Sequence, residues 1–344
     1  MVHSFYLAQA GQHLCKTFKS YSIVDRLGRL IGLLTFVIGS LSPGSVLAQE
    51  LSRHSFQHYQ MGTQFRLLLY AESEEAAKAI SVKAFKELDI LNSRLSDYLP
   101  DSELNLLCKK AGNRRKLSVS QDLWQVLLLS HSVSRKSKGA FDVSVGSLSK
   151  LWRAAFKNRT FPEPHTIEQI LPSVNYRRIK VARRIPRVAL RQAGMQLDLG
   201  GIAKGYAADK MADILRAAGY TRFLVDAGGD LLLGEAPPGR QGWKIATANQ
   251  SGTSTEFLTD CAIATSGDTY QYLEWQGKRY SHIIDPRTGY GVTDQQQVTV
   301  IATTGAIADA LASTLSVLDQ ESGRKLLKKF TGSSATFIQA IPIK

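Results

Sequence analysis

The sequence predicts an α+β fold: a single domain with a mixed, largely antiparallel sheet core flanked by helices. Three observations lead there. Short alternating apolar runs closed by turn residues recur along the chain, without the regular strand–helix alternation of a βαβ array. Separate stretches carry the 3.6-residue apolar period of helices. The 344 residues, 44% hydrophobic and 21% charged, are long and apolar enough to bury a sizeable core. That length admits two domains or one large one, and no internal repeat or low-complexity tract divides it.

The N-terminus reads as a targeting segment. Arg26 and Arg29 precede an apolar run of 12 residues, 30–41, which Ser42-Pro43-Gly44 interrupts. Val46-Leu47-Ala48 then offers a small-residue cleavage site before Gln49. The run is short of the roughly 20 residues of a membrane span. The expectation is an exported protein with residues 1–48 as signal peptide, cleaved or retained as an inner-membrane anchor, and residues 49–344 as one domain. Of the three cysteines, Cys108 and Cys261 lie beyond this segment and read either as a pair or as two buried thiols.

In chain order, residues 56–70 read as two strands joined at Met61-Gly62-Thr63. Ser73 caps a helix with Ile80, Ala84, Phe85, Leu88, Leu91 and Leu95 on one face. A turn-rich loop, residues 96–102, leads to a short helix over 103–108. Ser120 caps another helix, with Leu123, Val126 and Leu127 inward. The alternation in residues 140–146 is too short to type. Residues 157–172, with Pro162, Pro164 and Pro172, read as a surface loop and a short helix, and 176–190 as a basic hairpin. Met195, Leu197 and Leu199 read as a strand end, and Gly200-Gly201 as a tight turn. A helix then runs from Ile202 to Ala218, with Gly219 as its C-terminal cap. Strands follow at 223–227, 231–233, 243–248, 256–258, 261–264, 280–284 and 298–302, with polar turns at 265–268 and 285–289. A last helix, about 306–318, presents Ile307, Leu311, Leu315 and Leu318 to the core.

Chemistry concentrates at few places. The strand–Gly-Gly–helix junction exposes backbone N–H groups and a helix N-terminus, which suit an anion. Asp198 stands before that turn and Lys204 just after it. Taken alone, this element reads equally as an ordinary βα turn, and it matches neither a GxGxxG fingerprint nor a P-loop. Asp309 and Ser313 are i and i+4 on one helix face, with Ala312 beside them. An oxygen-rich partial cage of this kind suits Mg²⁺, although the pair alone reads more simply as a solvated face. His282 is a natural general base near neutral pH. A lone strand histidine is more often structural, and the adjoining turn with Asp285 favours chemistry. Tyr98, Phe141 and Tyr206 are rings that could stack on a flat cofactor. The net charge of +14 would suit a polyanion, yet the basic residues form only short clusters such as Arg177-Arg178 and Arg183-Arg184. No helix carries an Arg/Lys stripe interleaved with aromatics, so a basic surface is expected and nucleic-acid binding is not.

Seven motifs occur in order: Met61-Gly62-Thr63, the 141–146 stretch Phe-Asp-Val-Ser-Val-Gly, the 198–205 stretch Asp-Leu-Gly-Gly-Ile-Ala-Lys-Gly, Ala227-Gly228-Gly229-Asp230, Thr265-Ser266-Gly267-Asp268, the 282–289 stretch His-Ile-Ile-Asp-Pro-Arg-Thr-Gly, and the 308–312 stretch Ala-Asp-Ala-Leu-Ala. Together, over roughly residues 55–320, they closely resemble the FAD:protein FMN transferase (ApbE) family. The resemblance implies a periplasmic, Mg²⁺-dependent enzyme that splits FAD. It would transfer FMN to a Thr or Ser hydroxyl of an acceptor flavoprotein and release AMP. It also implies flavin and nucleotide contacts at Met61, Tyr98, Ala140, Phe141, Asp142, Asp198, Lys204 and Ile284. The metal would be held by the Gly201 carbonyl, Asp309, Ala312 and Ser313, with His282 as the base. The family usually has Thr where Ser313 stands, and often Asn where Asp226 stands. Two rival readings remain: hydrolysis of FAD to FMN and AMP, and a non-enzymatic exported flavin-binding maturation factor.

Overall fold

The computed structural model describes residues 50–249, 252–267, 272–293 and 296–339. The expected targeting segment and Asp268 lie outside the described residues. Two long alternating runs start the fold. β1 (Ser52–Gln60) and β2 (Thr63–Ala71) pair antiparallel from Ser52↔Ala71 to Gln60↔Thr63. Met61 and Gly62 join them with φ of 53° and 75°. Positive φ at both turn residues matches the twist of a two-residue hairpin, and it is an uncommon conformation for Met61.

α1 (Glu74–Leu95) follows, its first turn capped by Ser73 Oγ, which accepts from the Ala76 amide at 3.2 Å. Next come α2 (Glu103–Cys108), β3 (Leu117–Ser118) and α3 (Gln121–Lys136), the last capped by Ser120 as expected. α4 (Gly146–Asn158) and α5 (Pro164–Ile170) precede the small strands β4 (Ile179–Val181) and β5 (Arg187–Leu190). α6 (Ala203–Ala217) leads into β6 (Phe223–Ala227), β7 (Leu231–Leu233) and the hairpin β8 (Trp243–Asn249) and β9 (Gly252–Leu258). β10 (Ala262–Ser266), a second hairpin of β11 (Tyr272–Trp275) and β12 (Lys278–Ser281), and β13 (Gln296–Ala302) come next. α7 (Gly305–Val317), α8 (Gln320–Leu327) and β14 (Ser334–Gln339) complete the fold.

The main sheet has seven strands in the order β1-β2-β6-β7-β10-β13-β14, every ladder antiparallel. This is the α+β architecture expected from the sequence. Side chains alternate between its faces. Phe65, Leu67, Leu69, Phe223 and Val225 join the main core with α1, α6 and α7. Leu68, Leu224, Leu233 and Ile263 turn to the other face, where Trp243 and Ile245 of the β8–β9 hairpin cover them. The unbroken Leu67-Leu68-Leu69 run is therefore a strand buried on both sides.

α6 and α7 cross at two glycines. A Cβ on Gly205 would sit 2.1 Å from the Gly305 carbonyl oxygen, and one on Gly305 would sit 2.4 Å from that of Gly205. At this crossing each helix caps the other. Ile202, at the α6 N-terminus, has no side-chain cap to offer. The Gly205 amide donates instead to Asp309 Oδ2 of α7 at 3.2 Å. In return, Asp209 of α6 accepts from the Gly305 and Ala306 amides of α7, at 2.6 and 2.9 Å. Helix-terminal N–H groups left without partners would be costly in this buried setting.

A satellite cluster forms beside the main core. Leu148, Trp152 and Ala155 of α4 meet Ile167 of α5 and Leu273 of β11. Phe161 stacks on Trp275 at 4.2 Å, and Trp152 Nε1 donates to the Gly289 carbonyl at 2.9 Å.

Three expectations change, and of the two cysteine readings the unpaired one holds. α4 was not anticipated, because Val145 gives no side-chain cap and the helix ends at Arg159 in the left-handed region rather than at a glycine. Residues 195–199 form no strand beyond one parallel bridge, Val145 with Gln196. Met195, Leu197 and Leu199 are buried, but the backbone there bonds to loops: the Asp198 amide to the Val143 carbonyl, the Leu197 amide to Cys108 Sγ. Thr265 and Ser266 belong to β10 rather than to a turn. Cys108 and Cys261 are both free, the first in the main core and the second against the opposite face of the sheet.

Gly205→Ala is expected to destabilise the fold by about 1–3 kcal/mol or more, since the nearest atoms are backbone and cannot rotate away. Chemical denaturation midpoints measure this, and an unchanged midpoint would refute the close approach. Asp209→Ala is expected to lose about 0.5–2 kcal/mol as a lost helix cap, read in the same assay.

Candidate active site

A cleft of about 1200 Å³ opens between α4, the start of α6, the end of β10, the β11–β12 hairpin and α7. Twelve of the thirteen site residues that the family resemblance implies line it: Tyr98, Ala140, Phe141, Asp142, Asp198, Gly201, Lys204, His282, Ile284, Asp309, Ala312 and Ser313. Met61 is the exception. It sits in the β1–β2 turn, packs against the main core and is not part of the cleft lining.

The innermost feature is one cation among carboxylates. Lys204 Nζ lies 3.2 Å from Asp230 Oδ2 and 3.5 Å from Asp309 Oδ2. Burial opposes the charged ammonium, but Asp309 and Asp230 outweigh it and hold the lysine above its ordinary pKa. Asp230 is pushed up to about 6, by burial first and by the Asp309 carboxylate second. Its Oδ1 also accepts from the Thr265 amide at 3.3 Å, which ties the β6–β7 turn to β10. No role had been read for Asp230 from the sequence, although it closes the Ala227-Gly228-Gly229-Asp230 motif.

The oxygen donors expected for a metal converge beside this group. A Cβ on Gly201 would meet Ser313 Oγ at 2.8 Å, so that backbone and hydroxyl are immediate neighbours. The helical ladder of α6 begins with the Ile202 carbonyl, bonded by the Tyr206 amide, which leaves the Gly201 carbonyl ahead of it. Asp309, 5% exposed, stands one turn before Ser313. Carboxylate, hydroxyl and backbone carbonyls form a hard-donor set that fits Mg²⁺. Among the described residues, no group of three or more His, Cys, Asp or Glu side chains gathers as a metal site. A cation here would therefore depend on the hydroxyl and carbonyls as well as on Asp309.

A second ionic group forms the opposite wall. Arg153 of α4 bonds Asp97 through one nitrogen and Asp198 Oδ2 through another, the latter at 2.8 Å. Its guanidinium carbon lies 4.2 Å from the centre of the Tyr98 ring. Asp198 Oδ1 accepts from the Gly200 amide at 2.7 Å, so the same carboxylate shapes the Gly-Gly turn. Burial, then the Asp198 charge, raises the pKa of Asp97. Tyr98 is 72% exposed, a ring held by its partner rather than by a core. Arg153 could not be placed from the sequence because α4 carries no start signal.

Other residues shape the walls. The Asp142 carboxylate accepts from the Ser144 amide and hydroxyl at 2.8 and 2.6 Å and from the Tyr176 amide at 2.7 Å. Those bonds commit it to holding its loop. Tyr206 is not a cleft ring: it is buried, and its hydroxyl meets Asp122 and Gln125 at 2.9 and 2.7 Å. Asp226 accepts from the Gly229 amide through Oδ1 at 2.9 Å and from Arg66 through Oδ2 at 3.1 Å. The aspartate thus fixes the glycine turn, and Arg66 balances its charge.

His282 lies just past the end of β12, in a bend rather than on a strand, and is exposed in the cleft. The Ser281 hydroxyl accepts from the Ile283 amide at 3.1 Å, and Asp285 Oδ1 accepts from the Arg287 amide at 2.9 Å. The Asp285 carboxylate also holds the Arg287 guanidinium, at 2.7 Å from its Nη2. These bonds, with Trp152 on Gly289, fix the loop that carries His282.

Known proteins resemble this chain in sequence and in fold. The FAD:protein FMN transferase of Treponema pallidum is 33% identical over 340 residues, 93% of this chain and 92% of its own length. One from Klebsiella pneumoniae is 30% identical over 289 residues, 83% of this chain and 89% of its own. The solved flavin transferase ApbE of Vibrio cholerae superposes with a TM-score of 0.75 at 25% identity, covering 85% of this chain and 95% of that one. The apo flavinyl transferase ApbE of Pseudomonas stutzeri gives 0.75 at 26% identity, covering 85% and 92%. The model of the ApbE family matches residues 61–338, which span every side chain placed in the cleft above, and the chain belongs to the ApbE family.

Proposed function

We propose that the chain is an exported, Mg²⁺-dependent FAD:protein FMN transferase, acting in the periplasm on an acceptor flavoprotein. The observation that carries this reading is the meeting, in one cleft, of the Lys204–Asp230–Asp309 cluster, the oxygen donors at Gly201 and Ser313, and an exposed histidine. Relatives of nearly equal length are named for this activity.

The reaction joins an acceptor Thr or Ser oxygen to the FMN-side phosphorus of FAD. The bond from that phosphorus to the bridging oxygen breaks, and AMP leaves with the oxygen. In this reading His282, exposed in the cleft, takes the hydroxyl proton. Lys204 supplies the positive charge that meets the pyrophosphate in the same reading. Arg153 orients Tyr98 and Asp198 on the facing wall. Mg²⁺, held by Asp309, Ser313 and the carbonyls of Gly201 and Ala312, would neutralise phosphate charge.

A second reading is hydrolysis of FAD to FMN and AMP. The exposure of His282 favours it, because water as well as a protein hydroxyl can reach an exposed base. Incubating the protein with FAD, Mg²⁺ and an acceptor domain separates the outcomes. Covalent FMN mass on the acceptor supports transfer, and free FMN plus AMP supports hydrolysis. Unchanged bound FAD would leave a carrier instead.

Two substitutions test the roles. His282→Ala is expected to slow transfer by roughly 10²–10⁴-fold with FAD still bound, and loss of FAD binding would make His282 a substrate contact instead. Asp309→Asn retains an acceptor for the Gly205 amide but loses the charge, and is expected to abolish Mg²⁺-dependent turnover in a metal titration. Full activity in that variant would sink the metal assignment.

A further inference from the structure

The small three-stranded sheet, in the order β3-β5-β4, brings two basic stretches of the chain together. Residues 109–119 and 177–191 hold twelve lysines and arginines and no acidic residue. The strands adjoin through Leu117↔Val188 and Ser118↔Arg187 on one side and Ile179↔Leu190 to Val181↔Val188 on the other. Val188, Leu190 and Ile179 point into the main core. Lys109, Lys110, Arg114, Arg115, Lys116, Arg177, Arg178, Arg183, Arg184, Arg187 and Arg191 are exposed. Only Lys109 has an ion-pair partner among the described residues, Asp101 at 3.7 Å. The positive field extends onto α3, where Arg135 and Lys180, after burial, lower the pKa of His131.

The tip of this sheet is held rigidly. Trp124 Nε1 of α3 donates to the Ala182 carbonyl at 2.7 Å, and the Val119 amide donates to the Pro186 carbonyl at 3.0 Å. Between those anchors stand Arg183, Arg184 and Ile185, the last a 49% exposed apolar side chain flanked by cations. A fixed apolar tip inside a dense cationic field complements a surface that is anionic outside and apolar beneath. No aromatic side chain is exposed on the two stretches, so the stacking platform of a single-strand nucleic-acid site is missing from them.

We propose that this basic sheet docks the protein onto anionic phospholipid, with Arg183, Arg184 and Ile185 at the contact. The proposal does not depend on the flavin reading of the cleft. The test is co-sedimentation of the full chain with vesicles of phosphatidylcholine alone and of phosphatidylcholine with phosphatidylglycerol, over a salt series. Binding to phosphatidylcholine alone measures any contribution of the apolar 30–41 run, and the excess on phosphatidylglycerol measures the electrostatic part. The double substitution R183E/R184E is expected to reduce that excess by at least roughly tenfold. K83E/K86E on α1 makes the same change in net charge outside the patch and is expected to leave most of it. Both variants should keep the wild-type thermal midpoint. Equal losses in the two doubles, no preference for phosphatidylglycerol, or salt-sensitive binding to duplex DNA without vesicle binding each overturns the proposal.

Discussion

Two helices that cap one another hold the site in place. α6 begins without a cap of its own, and α7 begins where Gly305 leaves no side chain to separate it from α6. The exchange of Asp309 for Asp209 across that contact satisfies three amides. It also sets Lys204 beside Asp309, because the two residues flank the crossing on opposite helices. The charge cluster thus follows from helix-end chemistry rather than from a loop. A constellation mounted this way is positioned by packed backbone, the most rigid support a protein offers. The sheet contributes the third member, Asp230, through the turn after β6.

Much of this was legible in the residues, and what escaped has physical causes. Helices with a serine before their first turn, α1 and α3, stood out, as did strands with alternating or continuous apolar character. α4 begins at a glycine after an uncapped valine, so no punctuation announced it, although Leu148, Leu151, Trp152, Ala155 and Phe156 carry the helical period. With it went Arg153, Lys157 and Arg159, all of which face the cleft. Residues 195–199 have the alternation of a strand because alternate side chains are buried, yet their backbone partners are loops. Alternation reports burial, and a ladder requires a neighbouring strand as well.

The site shows the same division. Asp198, Lys204, His282 and Asp309 lie in motifs whose order along the chain identified the family, Ser313 directly follows the last of them, and all five line one cleft. The contacts between them span about a hundred residues, and no local spacing encodes them. Tyr98 and Tyr206 are both tyrosines near motif residues. Burial separates them: one faces the cleft under a guanidinium, and the other spends its hydroxyl on α3. The dispersed look of the basic residues was likewise an effect of reading along the chain, since the small sheet gathers two distant stretches into one field.

α4 belongs to two cores at once. Its apolar side lies in the satellite cluster with Trp152, while Arg153 is bonded into the Asp97–Asp198 group. That cluster also grips the loop carrying His282. Small clusters of this sort open at lower free energy than a central sheet, as separate cooperative units. The cleft is therefore walled on one side by the main core and on the other by the satellite cluster. Amides of α4 and the β11–β12 hairpin would exchange with solvent ahead of those in β2 and β6. Motions that admit a large dinucleotide or a protein hydroxyl would then be local openings of the satellite wall, with the charge cluster standing still.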